Sequence, residues 1–577
     1  MKRLLFLSLA FALAFLFIAC DSGNTGDFKI TLKLPYDDGV CKDFDEDDTT
    51  TDYTYCINKT DQVMLSIYSK SNIADDYVFA DRKLIKVNDN KGGKEDFIRS
   101  LKKGAYYRFF VQVTNSNEKL KLTGGIDGVY YDDKNNYEVS IFLAPNGDFV
   151  RVVSDRTNYD KALESYFDDG GSKGAAAVAL KDGRIYMAGG YDLQDNAISE
   201  KAVIFDMQQL SKKEIKGPAG LYDHVAALLD DGTETGKVVV GFGTTDSGLN
   251  DKIWSYDPEN NKYDLISSFS GMTKAKAITI NGDVYIVGGC TDSGASNVVY
   301  KVSADNNGRI SAETFATLKT GRCNHAIADV SIVDVDENDV KTVTPRILVI
   351  GGSTDAKEGK EGKETPVLGE DFAELVTQGS SVSMAIADRN GGDDADLKTK
   401  GLISPSAVSV LMDDKEDSET VVTVVGGYLR DGDEENFSWV KSPSLFVFSA
   451  KGENALVYDK NGTANECARP SAALLGAEEK NTIKYVAVNC GTQEIDRDSN
   501  HAPDDQIIFV LQVKRVKDSD LGIEVFSSSV KDSLMDNNHD SEGNALIVDG
   551  PVAVDALGQV FMLGGKYVYQ VGSYAVP

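Results

Sequence analysis

The stretch Val284-Tyr285-Ile286-Val287-Gly288-Gly289 decides the fold, because its pattern recurs along most of the chain. Each instance is a short apolar strand that runs into glycine, the residue that adopts positive φ most readily at a tight turn of the backbone. The other six instances are Ile185–Gly190, Val238–Gly243, Ile347–Gly352, Val422–Gly427, Tyr485–Gly491 and Val560–Gly565. An internal repeat of this kind predicts an array of similar β units.

Another strand of small and apolar residues precedes each motif, as Ala275–Ile280 does before Val284. Two adjacent strands followed by glycine predict that the glycines are structural and mark the end of the second strand of each unit. The glycines with this predicted role are Gly189, Gly190, Gly241, Gly243, Gly288, Gly289, Gly351, Gly352, Gly426, Gly427, Gly491, Gly564 and Gly565.

The units resemble the Kelch repeat, whose second strand ends in Gly-Gly and whose third carries Tyr-Asp followed by an aromatic residue. The segment Ile253–Tyr263 shows this best, with Tyr256-Asp257 followed by Tyr263 where the family usually has Trp. The resemblance covers residues 146–577 and implies a seven-bladed Kelch-like β-propeller of the galactose oxidase type. Four-stranded blades stack radially in such a fold, because one sheet cannot bury both of its faces alone.

The last unit is short, since Gly550–Pro577 offers about three strands. We expect its fourth strand to come from Gly147–Val153, which would leave no open sheet edge to invite aggregation. Several units are longer than an ordinary Kelch repeat. The largest insertion, roughly Ser353–Lys400, includes the charged run Lys357–Glu364, and this run is predicted to be a mobile linker.

Residues 27–145 form a different pattern of short alternating or apolar runs, which is typical of antiparallel strands. Within it, Leu101–Val113 resembles the glycine-tyrosine segment of small bacterial β-sandwiches of immunoglobulin-like or transthyretin-like type. The predicted fold class is therefore all-β, with an N-terminal β-sandwich that acts as a spacer or interaction module, followed by the propeller.

The N-terminus is predicted to be an export signal over residues 1–19. Lys2 and Arg3 precede the apolar stretch Leu4–Ala19, which is short for a membrane span. Phe17-Ile18-Ala19-Cys20 resembles the lipobox of bacterial lipoproteins, although Phe17 stands where the family usually has Leu. The resemblance implies lipidation of Cys20, a tether over residues 20–26 and a place in the bacterial cell envelope, on the inner or outer membrane. An ordinary signal peptide that leaves Cys20 as a free thiol is the alternative.

Six cysteines remain once Cys20 is set aside for lipid, and an even number in an exported chain suggests disulfides. They follow one another as Cys41/Cys56, Cys290/Cys323 and Cys467/Cys490, and we expect these three pairings, although sequence alone does not fix connectivity. No C-x-x-C spacing is present to suggest structural zinc or a redox site.

The net charge of −31 disfavours nucleic acid as a partner, because nucleic-acid binding depends on basic side chains that replace counterions. The acidic residues are spread through predicted loops and are typical of a solvated surface. The membrane, reached through the lipid, and a protein or glycan ligand are the partners that we expect.

No motif in the sequence specifies catalysis or a cofactor. A Kelch-type propeller can hold copper, but the four histidines, His224, His325, His501 and His539, show no ligand spacing and are predicted to be structural or solvated. The acidic runs Asp334–Asp339 and Asp388–Asp394 begin like calcium loops but lack their completing residues. We therefore predict no catalytic residue, no metal site and no cofactor.

These observations favour a non-enzymatic, membrane-anchored binding or scaffold protein. The alternative is a carbohydrate-active or other hydrolytic propeller enzyme. An enzyme should gather carboxylates and histidine or tyrosine at one mouth of the channel, whereas a binding module should expose an apolar patch on a loop face.

Overall fold

The computed structural model describes residues 25–33, 57, 61–72, 75–85, 94–117, 119–132, 138–146, 149–154, 162–167, 172–192, 195–336, 340–355, 364–388, 401–412, 419–432, 437–441, 444–450, 455–463, 468–476, 483–491, 508–515, 523–529 and 550–573. Within these ranges every regular element is a β-strand apart from one 3-10 turn, Gly369–Phe372. The all-β prediction is thus confirmed. The predicted signal, Cys20, Cys41, Cys56, Cys467, His501 and His539 lie outside the described residues. Of the predicted tether, residues 20–24 also lie outside them, whereas Thr25 and Gly26 already belong to the first strand.

The first strands form a two-sheet unit that we call the N-terminal unit. Its three-stranded sheet has the order Lys94–Lys102, Thr25–Lys33, Glu138–Phe142, and its five-stranded sheet the order Val78–Ile85, Gln62–Lys70, Ala105–Thr114, Leu120–Tyr131, Ala144–Pro145. Apolar residues at alternate positions share one core, in which Phe28 stacks on Phe109 at 5.3 Å. The period of two therefore directs one face of each sheet inward.

Seven further sheets follow, numbered here 1 to 7 in chain order, and sheets 1 to 4 and 6 each contain four antiparallel strands laid side by side in sequence order. Their strands are, for sheet 1, Ala176–Ala179, Ile185–Ala188, Lys201–Asp206 and Ser211–Lys216; for sheet 2, Val225–Leu229, Lys237–Gly241, Lys252–Asp257 and Lys262–Ser268; for sheet 3, Lys276–Ile280, Asp283–Val287, Val298–Ala304 and Ile310–Thr317; and for sheet 4, Ala326–Asp329, Ile347–Ile350, Ala373–Thr377 and Ser380–Ser383.

Sheet 6 follows the same scheme, whereas sheets 5 and 7 depart from it slightly. Sheet 5 contains Ser406–Met412, Glu419–Val425, Ser444–Ala450 and Ala455–Thr463, with Ala385–Asp388 added in parallel to the last strand; sheet 6 contains Ala468–Leu475, Ile483–Gly491, Ile508–Arg515 and Ile523–Ser529; and sheet 7 contains Val552–Val554, Val560–Met562, Tyr569–Val571 and Phe149–Arg151. The fourth strand of sheet 7 thus comes from the segment between the N-terminal unit and sheet 1.

Short strands form small additional sheets within the connections between the long strands. They are Ser172–Lys173 with Tyr191–Asp192 and Ala197–Ile198; Thr244–Thr245 with Gly248–Leu249; Cys290–Thr291 with Gly294–Ala295; Ile332–Val335 with Lys341–Thr344; and Leu402–Ile403 with Tyr428–Gly432 and Phe437–Lys441.

Each sheet packs against its neighbours on both faces, which explains the unbroken apolar runs in the second strands. In sheet 3, Val284 and Ile286 belong to a core shared with sheet 2, whereas Tyr285 and Val287 belong to one shared with sheet 4. Equivalent cores join the other neighbours, and one joins sheet 7 to sheet 1. The first strand of each sheet contacts that of the next, and the first strand of sheet 7 contacts that of sheet 1.

The N-terminal unit packs against sheets 1 and 7 at the strand ends where the turns between their first and second strands lie. Gln559, in such a turn of sheet 7, bonds the backbone of Gly125. In sheet 1, Asp182 lies against Gly128, and the Nε2 of Gln208 donates to the carbonyl of Asp127 at 3.1 Å. These contacts hold the unit at one end of the strands and leave the other end free for the cavity described next.

Candidate functional site in the central cavity

The first strands of all seven sheets begin around one cavity of about 380 Å³. Its wall consists mainly of small residues such as Ala175, Ala277 and Ala472, which leave the space open. Its rim carries Asp223, Lys274, Asn324, Ser404, Ser406 and Ser471. The antiparallel order puts this rim at the strand ends opposite the turns that contact the N-terminal unit.

Five rim residues have left-handed backbone conformations, and each stands two positions before the start of a first strand. Gly174 has a φ of 64°, Asp223 of 52°, Lys274 of 54°, Asn324 of 50° and Ser404 of 52°. Backbone hydrogen bonds link several of them across neighbouring sheets. The N–H of Asp223 donates to the carbonyl of Gly174 at 2.8 Å, that of Lys274 to the carbonyl of Asp223 at 3.0 Å, and that of Ser404 to the carbonyl of Asn324 at 2.6 Å. The packing of neighbouring sheets thus holds four non-glycine residues in a conformation that costs about 1 kcal/mol or more.

The rim side chains differ in charge. Asp223 supplies a carboxylate and Lys274 an ammonium group, and within the described part of the chain neither takes part in a salt bridge. Asn324 donates from Nδ2 to Glu364 at 3.3 Å. Among the described lining residues Asp223 carries the one carboxylate, whereas glycoside hydrolysis by the common mechanisms uses two.

The glycine motifs sit where neighbouring sheets approach most closely. In sheet 1, Gly189 and Gly190 have φ values of 62° and 97°, and a Cβ on Gly189 would overlap the carbonyl oxygen of Leu221 in the connection to sheet 2. The N–H of Gly190 donates to that same carbonyl at 2.7 Å. Gly289 and Gly352 make the equivalent hydrogen bonds to the following sheets, so the pair is required by packing between sheets as well as by the turn.

Two motifs have a different register from the one that the sequence predicts. Gly241 is the last residue of a strand, and the first position of the pair is taken by Phe242, which has a φ of 56° and is fully buried. In sheet 7 the strand ends at Met562, so Leu563 and Gly564 follow it and Gly565 falls one residue too late. The two positions after the strand are thus occupied by Phe242 and Gly243 in sheet 2 and by Leu563 and Gly564 in sheet 7, whereas Gly241 ends its strand and Gly565 follows the pair.

His224 and His325 are buried between sheets, and neither ring makes a hydrogen bond of ordinary geometry with a described residue. Each lies against two motif glycines, as His224 does with Gly189 and Gly243. Burial lowers the pKa of His224 to about 4 and that of His325 well below its usual range. Both imidazoles are therefore neutral packing elements, as the sequence predicts for them.

Sheet 4 contains a buried ion pair between Arg322 and Glu374, whose side chains are both fully buried. The Arg322 guanidinium also donates to the carbonyls of Gly351 and Asp371, at 3.1 and 2.8 Å. Glu374 accepts in turn from the backbone N–H of Lys319. Every charge is hydrogen-bonded, so the pair fixes the segment that leads into the first strand of sheet 4.

A disulfide joins Cys290 of the connection in sheet 3 to Cys323 at the start of sheet 4, with their Cα atoms 5.2 Å apart. This is the predicted pairing, and both residues are buried. The bridge therefore ties two neighbouring sheets together close to the cavity.

The other two predicted disulfides are not shown and stay predictions. Cys41 and Cys56 both lie outside the described residues. Cys490 belongs to the strand Ile483–Gly491 of sheet 6, but its side chain and its predicted partner Cys467 fall outside what the structure describes. The expected bridge between Cys467 and Cys490 is thus not confirmed, in contrast to the bridge between Cys290 and Cys323.

A second candidate surface is the hairpin of Ile332–Val335 and Lys341–Thr344, inserted between the first two strands of sheet 4. Four of its aliphatic residues are exposed to solvent, Ile332 by 42%, Val333 by 56%, Val335 by 55% and Val340 by 57% of their surface. The sequence run Asp334–Asp339 begins like a calcium loop but was interpreted as a solvated turn, and this hairpin was missed. The alternation of Val333 and Val335 with aspartate, followed by a polar turn, was the available signal.

Among the described residues, no three His, Cys, Asp or Glu side chains are grouped closely enough to hold a metal ion. The described chain also contains no helix with the length and hydropathy that a membrane span requires.

Comparison with known proteins adds little. No family model matches the chain, and no curated protein matches it. Among solved structures the chain is similar to the one described as the structure of YjhT, at 11% identity and a TM-score of 0.33, over 61% of this chain and 94% of that one. A TM-score this low carries no argument about fold or function.

Proposed function

We propose that this protein is a lipid-anchored binding or scaffold module of the bacterial cell envelope. An N-terminal β-sandwich carries a seven-bladed Kelch-like propeller, which engages a partner protein through the hairpin of sheet 4. The propeller assignment is supported by the seven sheets of four antiparallel strands and by the contacts between successive first strands. The anchor is supported by the sequence around Cys20 alone.

The observation that carries the binding proposal is the exposure of four aliphatic side chains on one short hairpin. Val333 lies opposite Val343, and Val335 lies opposite Lys341 on the same face. Large aliphatic residues grouped on a protruding element expose apolar surface to water, and a partner that covers them gains about 25 cal/mol per Å² of apolar area.

The charge of the hairpin indicates the chemistry of the partner. Its sequence carries Asp334, Asp336, Glu337 and Asp339 against Lys341, within a chain of net charge −31. The complementary surface is an apolar patch bordered by lysine or arginine, because like charges across an interface are unfavourable. Binding by such a surface should weaken as salt concentration rises.

A photo-reactive amino acid at Val335 tests the proposal in the full chain, with the same group at Leu265 as the matched control. Leu265 is 57% exposed on the outer strand of sheet 2. We expect a specific cross-linked protein from Val335 and none from Leu265. The purified partner should lose at least tenfold in affinity for the Val333→Ser/Val335→Ser variant and bind more weakly in 0.5 M NaCl.

Equal cross-linking at both sites would contradict the proposal, as would unchanged affinity of the double variant. Binding to envelope material that survives protease digestion would indicate a glycan ligand instead. The anchor has its own test, since Cys20→Ala should abolish incorporation of an alkyne-labelled fatty acid and release the protein from membranes.

A further inference from the structure

We infer that the central cavity is a second binding site, specific for a small zwitterion that carries both an ammonium and a carboxylate group, such as a free amino acid or a short peptide. This site is separate from the hairpin and does not depend on the partner proposed there.

The backbone conformation of the rim points to a role for its side chains. Gly174 shows that glycine serves at this position in sheet 1, yet sheets 2 to 5 place Asp223, Lys274, Asn324 and Ser404 in the same left-handed conformation. Aspartate and asparagine tolerate this region better than most residues, whereas lysine and serine gain nothing from it. Four successive sheets thus place a polar residue where the backbone conformation favours glycine, which indicates that the side chains themselves serve a purpose.

The rim also carries two opposite charges. Asp223 and Lys274 occupy equivalent positions on neighbouring sheets, and the backbone N–H of Lys274 donates to the carbonyl of Asp223 at 3.0 Å. Although they are half-buried neighbours, their side chains form no salt bridge with each other or with another described residue. Opposite charges held side by side around a common space match the two charged ends of a zwitterion through charge-assisted hydrogen bonds.

The rest of the wall combines polar groups with small side chains. Asn324, Ser404, Ser406 and Ser471 add an amide and three hydroxyl groups, while alanine side chains leave the space clear. A volume of about 380 Å³ is at the low end for ligand pockets, which run from roughly 300 to 1,000 Å³. The cavity therefore suits a small polar molecule with few apolar groups.

The position of the cavity is compatible with the entry of a ligand. The rim lies at the strand ends opposite the turns that pack on the N-terminal unit, where Asp182 contacts Gly128. A ligand can thus enter without displacing that unit, and the site and the sheet 4 hairpin lie at opposite ends of the strands.

The test uses the purified full chain, screened by thermal shift against each of the twenty amino acids and against glycylglycine, followed by calorimetry with the strongest binder. We expect at least one to bind with a dissociation constant below 1 mM. Blocking its amino group by acetylation or its carboxylate as a methyl ester should each weaken binding at least tenfold.

Two variants assign the contacts. Asp223→Asn keeps a residue that accepts the left-handed conformation, and Lys274→Met keeps the length of the side chain, so both should melt close to the wild type. Each should weaken binding at least tenfold, whereas Asp305→Asn, in an exposed turn of sheet 3, should not change it. The inference is overturned if no probe binds the folded protein, if the blocked compounds bind as well as the free one, or if both variants bind as the wild type does.

Discussion

The side-chain amide of Gln559 pairs with the backbone of Gly125 as a neighbouring strand would. Its Oε1 accepts from the N–H of Gly125 at 3.0 Å, and its Nε2 donates to the carbonyl of Gly125 at 3.1 Å. Nε2 also donates to Asp555 at 2.6 Å, and Oε1 also accepts from Gln570 at 3.0 Å. All four hydrogen bonds of the amide are thus made at a site that is 2% exposed, and they join the N-terminal unit to sheet 7.

Replacing Gln559 by leucine should therefore loosen this junction. The change keeps much of the side-chain volume but leaves both backbone groups of Gly125 without their partner, which should cost about 2–4 kcal/mol in the free energy of unfolding. Urea denaturation measures the loss, and amide hydrogen exchange at Gly125 should accelerate. Gln62→Leu, on an exposed strand position of the same unit, is the control and should change little; equal stability of the two variants would refute the role of Gln559.

Gly189→Ala should be far more harmful than the same change at Gly232. Both glycines have positive φ, 62° and 80°, so alanine costs about 1 kcal/mol at either position from backbone conformation alone. A Cβ at Gly189 would also overlap the Leu221 carbonyl and approach His224, whereas at Gly232 nothing lies within 4 Å. We expect a loss of about 3 kcal/mol or more at Gly189. Similar unfolding free energies for the two variants would show that sheet packing does not require the glycine.

Removing the Cys290–Cys323 disulfide by a double change to alanine should lower the free energy of unfolding by about 3–4 kcal/mol. The bridge spans 33 residues, and a loop of this length regains that much chain entropy in the unfolded state. Guanidinium denaturation of the oxidised wild type and the double variant measures it. Coincident denaturation curves would contradict the prediction, and peptide mapping of the wild type confirms that the bridge is formed.

Below pH 6.5 the protein should lose stability through His224. The unfolded imidazole has an ordinary pKa near 6.5, whereas in the folded state burial lowers the pKa to about 4. The unfolded state therefore takes up a proton first, and stability falls as pH decreases from 6.5 to 4, by about 2 kcal/mol at pH 5. From pH 7.5 to pH 5, the free energy of unfolding of the wild type should fall by about 2 kcal/mol relative to that of His224→Asn. A difference between the two proteins that is constant with pH would refute this prediction.

The repeat explains why much of the β architecture could be predicted from the sequence. Val284–Val287 is buried on both faces, and such strands are apolar without interruption, so they stand out in the sequence along with the glycines that follow. The origin of the fourth strand of sheet 7 was also predictable, because too few residues follow Gly550. The position of the two left-handed residues that follow the second strand was not predictable in sheet 2. There Phe242 occupies the first of the two positions, since packing between the sheets overrides the preference of the backbone for glycine.

The cavity was beyond sequence reasoning for a different reason. Asp223 and Lys274 are about 50 residues apart and belong to ordinary polar turns in the sequence. They become neighbours only because two sheets pack side by side and place equivalent turns around one space. Similarly, the exposure of Val335 depends on the absence of a described element packed over the hairpin, which no local pattern reveals.

The origin of the last strand of sheet 7 also determines the order in which the molecule can be completed. Val150 is synthesised early and pairs with Gln570, about 420 residues later in the chain. Until Gln570 has emerged from the ribosome, Phe149–Arg151 has no native partner and sheet 7 has no outer strand. Completion of that sheet must therefore wait until synthesis has reached Gln570, and loss of a few residues around Gln570 would release the early strand as an unpaired edge.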